Sequence, residues 1–236
     1  MKKTHLLICF LLSCYWAEAQ TYLKNVDEIL EKHYVATGGK ENWSKITSVR
    51  LKAKVNWGNG MEIPVEKTVI QDKAMYNQMS LQGKSSVRVV QKGKGWMKSS
   101  FGTNPKPQPL PPFAVQSMQG ELNITGDLIN YEQKGNTVEF MGLDDYEGVD
   151  VYKLKVTRSD GTVIYHHIDT ESFLDLLTVQ KIKTPEKEDY NYNSFSDFRK
   201  TNAGVILPFK QNGEEILEIE FNPTIDEKIF EMPAED

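Results

Sequence analysis

The chain has 236 residues, 39% of them hydrophobic and 26% charged, with a formal net charge of -5. That composition suits a folded globular chain, and the acidic balance argues against the basic face that nucleic-acid phosphates require. Its two cysteines, Cys9 and Cys14, both fall near the start, so the rest of the chain has neither a disulfide framework nor thiolate chemistry.

Lys2 and Lys3 precede an apolar run from Leu6 to Ser13, and Ala17-Glu18-Ala19 matches a small-x-small cleavage pattern. The run is shorter than the roughly 20 apolar residues of a membrane span. The pattern predicts a secretion signal over 1–19. Cleavage after Ala19 would leave Gln20 to Asp236 as a single domain, its charge moved to -6 by the loss of Lys2, Lys3 and Glu18. That product is expected to be a soluble periplasmic monomer. A second reading also exists: Leu11-Leu12-Ser13-Cys14 resembles a bacterial lipobox, in which Cys14 is lipidated and tethers the protein to a membrane.

Val26, Ile29 and Leu30 recur at helical spacing, with Tyr34 one turn on. This predicts a helix capped by Asn25, with Asp27 and Glu28 in its first turn and Gly38-Gly39 at its end. A short second turn covers Glu41 to Ile46, anchored by Trp43 and Ile46. Val49, Leu51, Ala53, Val55 and Trp57 then alternate with polar residues, as in a half-buried antiparallel strand. Gly58-Asn59-Gly60 is hairpin chemistry. Met61, Ile63, Val65 and Val69 continue the alternation, and Pro64 predicts an edge or a bulge. Strands follow over Ala74–Leu81, Ser85–Gln91 and Gly95–Lys98.

The prolines between Thr103 and Pro112 predict an extended surface loop that does not pair in a sheet. A short helix follows over Pro112–Leu122, with Val115, Met118 and Leu122 as its apolar positions. Strands resume over Thr137–Gly142, Val149–Thr157, Val163–Asp169, Leu176–Thr184, Asn191–Lys200, Val205–Asn212 and Ile216–Phe221, separated by turn residues such as Asp160-Gly161 and Asn212-Gly213. Ile225, Ile229 and Phe230 are expected to pack down from the tail. Roughly ten or eleven strands behind one leading helix predict a mainly β fold, a curved antiparallel sheet or open barrel.

The order of several segments is similar to that of a known family. Ala36-Thr37-Gly38-Gly39 closes the helix and Ile46-Thr47-Ser48-Val49 opens the first strand. Tyr165-His166-His167-Ile168-Asp169-Thr170-Glu171 and Asp197-Phe198-Arg199-Lys200 come later, followed by Gly204-Val205-Ile206-Leu207-Pro208. Over nearly the whole mature chain this resembles the periplasmic LolA/LolB-like outer-membrane lipoprotein-sorting proteins, as a divergent member. The resemblance implies an unclosed half β-barrel with an N-terminal helix and short covering helices. It further implies a concave apolar face that binds acyl chains, with an acylated lipoprotein or another lipid, and an envelope protein, as partners. The well-known carriers hold their lid with an arginine; Arg50 is the nearest candidate here, and its alternation places it on the outer face.

No Gly-x-Ser-x-Gly elbow, Walker motif or dinucleotide fingerprint occurs. His166-His167 with Asp169 is the one metal-like cluster, yet adjacent strand residues face opposite sides and cannot easily share one ion. Asp144-Asp145 and Glu214-Glu215 read as solvated carboxylates at turns. The protein is therefore expected to be no enzyme and to need no cofactor or metal. The candidate ligand surface is apolar: Val49, Leu51, Val55 and Trp57 on the first strand, continued by Met61, Ile63, Met75, Met79, Leu81, Val87, Val89 and Trp96. Phe113, Val115 and Met118 form a candidate lid. Methionine and aromatic side chains adapt to flexible apolar ligands, and the same residues would equally fill a closed core. Two functions stay open: a periplasmic protein holding the acyl chains of lipoproteins or another amphiphile for transfer to the outer membrane, and a non-catalytic envelope structural or interaction module.

Overall fold

The first half of the chain runs from the middle of the sheet to one edge, and the second half returns from the other edge to the middle. The computed structural model describes residues 22–183 and 188–234. The expected leader over 1–19, its Ala17-Glu18-Ala19 site and Cys14 lie outside the described residues. Helices α1 (Val26–Ala36) and α2 (Lys40–Ser44) come first. Strands β1 (Ser48–Asn56), β2 (Glu62–Ile70), β3 (Ala74–Leu81), β4 (Lys84–Gln91), β5 (Lys94–Ser99) and β6 (Gln108–Pro109) meander to one edge. Helix α3 (Pro112–Met118), a 3-10 turn (Gln119–Leu122) and a strap, 123–136, then lead to the other edge. There β7 (Thr137–Tyr146) begins a second meander through β8 (Val149–Thr157), β9 (Val163–Asp169), β10 (Asp175–Lys183), β11 (Glu188–Lys200) and β12 (Ile206–Gln211) to β13 (Glu214–Phe221). Among the described residues this gives one 13-stranded antiparallel sheet in which β13 pairs with β1, while the edges β6 and β7 stay apart. The barrel is unclosed.

Extra residues at Leu217 in β13, Met141 in β7 and Leu176 in β10 shift the register. Such bulges increase local twist and bend the sheet. Alternation and register then sort the side chains onto two faces. On the concave face, Val49, Val69, Met75 and Val90 form one cross-strand row. They join Tyr152, Leu154 and Ile168 against Ile29, Leu30 and Tyr34 of α1, Trp43 of α2, and Leu128 and Ile129 of the strap. On the convex face, Ala74, Val89 and Trp96 form a second, small core beneath Phe230 of the C-terminal 3-10 turn (Glu227–Phe230). The Trp96 indole N–H donates to the Phe230 carbonyl at 3.0 Å.

The helices also fill a split in the sheet. Strands β12 and β13 pair only at Lys210–Glu215 and Gln211–Glu214, beside their turn. The α1–α2 junction docks beside the unpaired part: the Ile206 amide donates to the Thr37 carbonyl (2.9 Å) and the Asn42 side chain donates to the Gly38 carbonyl (2.8 Å). Gly38, at φ +100°, lies so close to Gly204 that a Cβ there would stand 2.4 Å from the Gly204 carbonyl oxygen. At the end of β13 the Asn222 side chain accepts from the Thr47 and Ser48 amides and donates to the Lys45 carbonyl.

The structure corrects three expectations and places Pro64 at a local edge. Among the described residues thirteen strands replace the roughly ten or eleven read from the sequence, in part because the two-residue β6 carries no apolar alternation. Pro64 sits in an interior strand, paired with Lys54 of β1; the β3 ladder starts only at Val65–Met79, so the proline occupies a position where β2 is locally an edge. The proline-rich loop does pair: Gln108 and Pro109 add a two-residue strand to the outer side of β5, where a missing donor costs no ladder bond. Asp144, Asp145, Glu214 and Glu215 lie in strands β7 and β13, not in turns.

Candidate functional site

Along the concave face the sheet carries successive rows of residues. The first, Val49–Val69–Met75–Val90, lies under the helices. Next comes Leu51–Lys67–Asn77–Arg88, then Ala53–Val65–Met79–Ser86, then Val55–Ile63. Ala53, Ile63 and Val65 are buried in the floor, whereas Leu51, Val55, Met79 and Leu81 are half-buried and belong to neither core. β13 extends this lining with Ile219, Ile216 and Glu214, opposite Leu51, Ala53 and Val55. The hairpin tip adds Trp57 and Met61, both exposed. The lining is thus an apolar strip beyond the helical plug.

Register divides the residues expected to form one ligand surface. Val49 and Met75 are packed in the main core. Leu51, Val55, Ile63, Met79 and Leu81 share the concave strip. Val87, Val89 and Trp96 stand on the convex face, where Val89 and Trp96 pack beneath Phe230 and Val87 lies against them. The surface therefore does not continue across β4 and β5, because Val90, not Val89, pairs with Met75. Of the expected lid, Val115 is buried in the main core and Met118 packs against it, while Phe113 is 75% exposed.

The second row interrupts the apolar face with polar groups. Lys67, Asn77 and Arg88 are direct cross-strand neighbours on β2, β3 and β4, about 5 Å apart at Cβ. Lys67 Nζ pairs with Glu121 of the 3-10 turn at 2.8 Å. Asn77 Oδ1 is buried with no hydrogen-bond partner among the described residues. Arg88 is exposed, and the described residues give it no ion pair or hydrogen bond. Glu214 also faces Lys67: burial pushes its carboxyl pKa up, Lys67 opposes the shift and Glu121 adds to it. The sequence carries a signal for this row. Lys67, Asn77 and Arg88 occupy inward positions of the alternations that hold Val65 and Val69, Met75 and Met79, and Val90.

A second polar cluster is largely buried and pins the strap. Arg158 at the end of β8 donates to Asp127 through Nε (2.7 Å) and Nη2 (2.9 Å). His166 of β9 lies between Asp175, at 2.5 Å from Nδ1, and Asp127, at 3.6 Å from Nε2. Burial alone would lower the His166 pKa; Asp175 and Asp127 outweigh it and hold it at about 9. The same partners, His166 and Arg158, overcome burial to keep Asp127 well below the usual carboxylate range. His167 points to the convex face, where its Nδ1–H donates to the Leu177 carbonyl at 3.2 Å. The two imidazoles thus face opposite sides of β9. Arg50 is on the convex face as well, paired with Glu220 (3.0 Å) and bonded to the Thr224 carbonyl (2.9 Å), so it holds no lid on the concave side.

Two hollows of about 440 and 560 Å³ lie on the convex face. Arg50, Thr68 and Tyr76 line the first, and Tyr165, Tyr190 and Tyr192 the second. Both lie behind the sheet from the apolar strip. Among the described residues, no helix is long and apolar enough to cross a membrane.

No family model matches the sequence, and no curated protein matches it. Solved structures do match the fold. A DUF1329 family protein from Desulfovibrio piger superposes with a TM-score of 0.52 at 13% identity, covering 86% of this chain and 97% of that one. A LolA superfamily protein from Nitrosomonas europaea gives 0.52 at 11% identity, covering 89% and 98%. An outer membrane lipoprotein-sorting protein domain from Vibrio parahaemolyticus gives 0.50 at 10% identity, covering 86% and 94%. At these identities the likeness is one of architecture, and it extends over nearly the full length of each relative. The unclosed antiparallel sheet with its short helices is a divergent LolA-like fold.

Proposed function

We propose that this protein is an exported, non-catalytic carrier or acceptor that holds the acyl chain of a lipoprotein or another amphiphile against its concave face. The observation that carries the reading is the strip beyond the plug. Leu51, Val55, Met79 and Leu81 are half-buried on the same face as the main core, yet no helix packs them into either core cluster. Burying an acyl chain there contributes about 0.8 kcal/mol per CH₂. Exchange of such apolar contacts needs no covalent chemistry. The resemblance of the leader to a secretion signal and the LolA-like architecture support a periplasmic setting, with hand-over toward the outer membrane as the role.

The test is mass spectrometry of an organic extract from protein purified without detergent. Acyl species at near-stoichiometric amount are the expected result. An empty extract, together with no uptake of a fluorescent apolar probe, would overturn the reading.

A further inference from the structure

We propose that the bound amphiphile carries an anionic head, a carboxylate or phosphate, seated on Arg88 beside Asn77 and Lys67. This rests on the reading above and names the chemistry of its ligand.

A sheet face that only fills a core has no use for Lys67–Asn77–Arg88 across three adjacent strands, since each polar group placed there costs free energy unless it is satisfied. Lys67 shows what the row binds: it already holds a carboxylate, that of Glu121, at 2.8 Å. Arg88 is its unpaired counterpart on the far side of Asn77, with an exposed guanidinium and no partner among the described residues. A guanidinium presents paired donors that match a carboxylate or phosphate.

The position of the row sets the direction of the tail. On one side lies the filled core under the helices; on the other the half-buried Leu51, Met79 and Val55 run over the Val65 and Ile63 floor toward Met61 and Trp57 at the hairpin rim. From Lys67 to Met61 a strand covers about 20 Å, the length of an extended long-chain acyl group. A head at the row and a tail along the strip use both features at once. Charge also selects. The chain is acidic overall at -5, so an unpaired arginine on this face is a local positive site in a negative molecule, favouring anions over neutral or cationic heads.

The test is displacement of N-phenylnaphthylamine from the purified full-length chain by amphiphiles with one common hexadecyl or hexadecanoyl tail. Hexadecanoate and hexadecyl phosphate should compete about tenfold better than the monoacylglycerol, and hexadecyltrimethylammonium worst of all. The tighter of the two anions tells whether the head is carboxylate or phosphate. Arg88→Gln should abolish the preference for anions and leave the monoacylglycerol unchanged, with Arg88→Lys intermediate. Because Arg88 is exposed, both variants are expected to fold, which circular dichroism checks. Equal competition by all heads, or an anion preference that survives Arg88→Gln, would overturn the head-group assignment while leaving the acyl-binding reading intact. Failure of every amphiphile to displace the probe, or of the probe to bind, would overturn both.

Discussion

His166 reaches Asp127 across the interior of the fold, Nε2 to Oδ2 at 3.6 Å, and so joins the sheet to the strap that covers it. Asp175 bonds the other ring nitrogen, and the imidazole is held at a pKa of about 9 against 6.5 unperturbed. A raised histidine pKa stabilises the fold fully below the unfolded value, and that stability is lost as pH rises through the folded one. The contribution is on the order of 3 kcal/mol for a buried group shifted this far. It should therefore decline from about pH 6.5 and be gone above about pH 9. Lys134 of the strap works in the opposite sense. Burial lowers its pKa to about 8, so the cost of its charge is relieved as pH rises from about 8 toward 10.5. Urea denaturation of wild type and His166→Gln between pH 6 and 10 separates the two. Only the wild type should carry the His166 decline; parallel curves for the two proteins would refute it.

Arg158 and Asp127 form the other half of the same joint. Their two hydrogen bonds, 2.7 and 2.9 Å, tie the end of β8 to the strap where both partners are largely buried. Removing Arg158 leaves only His166, at 3.6 Å, to offset the buried Asp127 charge, so Arg158→Met should destabilise by about 3 kcal/mol, the lower end for a broken buried pair. Asp127→Asn combined with Arg158→Met should cost clearly less than the sum of the single changes. Hydrogen exchange should show the loss first in 123–136 and not in β1–β3. Uniform loss of protection would mean that the strap is not a separate cooperative unit.

Gly38 has no room for a side chain. Its φ of +100° lies where only glycine is comfortable, and an added Cβ would meet the Gly204 carbonyl oxygen at 2.4 Å and the Val205 Cα at 2.7 Å. Both are backbone atoms and cannot swing aside. Gly38→Ala should cost about 2–4 kcal/mol. Gly39 is the control: its φ is +86° but nothing lies within 4 Å, so Gly39→Ala should cost about 1 kcal/mol from backbone strain alone. Equal midpoints for the two variants would show that the contact with Gly204 does not matter.

That contact also explains how much of the fold could be read from the chain. Ala36-Thr37-Gly38-Gly39 and Gly204-Val205-Ile206, two of the segments that carried the family resemblance, meet at the split between β12 and β13. The turns were legible because positive φ demands particular residues: Gly58-Asn59-Gly60 and Asn212-Gly213 all adopt it. Strict alternation located β1, and turn residues bounded β8 and β9, to within a residue or so. What alternation cannot give is register between strands. Val89 and Val90 are neighbours of similar character, and only their pairing with Tyr76 and Met75 decides which one faces the concave side. The strap left no periodic trace because its residues are held by tertiary contacts, Leu128 and Ile129 in the core and Asp127 on Arg158. Lys67, Asn77 and Arg88 fall on inward positions of their strands, but only the register sets them side by side.

The division of the two faces has a direct functional consequence. Met79 and Trp96 were expected on one ligand surface, and the sheet sets them on opposite sides. Trp96 is 7% exposed, packs beneath Phe230 and donates its indole N–H to the Phe230 carbonyl. Trp96→Ala should cost about 3–5 kcal/mol of stability. At temperatures where that variant remains folded, its affinity for an apolar probe should stay within about twofold of wild type, a difference under about 0.5 kcal/mol. Met79 is half-buried in the concave strip, outside both cores. Met79→Glu should barely move the unfolding midpoint, since the new carboxylate can reach water in the empty protein. Occupying the strip would desolvate that charge, and probe affinity should fall at least tenfold. Measuring unfolding and probe titration on both variants gives a crossed pattern if ligand lies on the concave face. Loss of probe binding in Trp96→Ala with retention in Met79→Glu would place the ligand on the convex side instead.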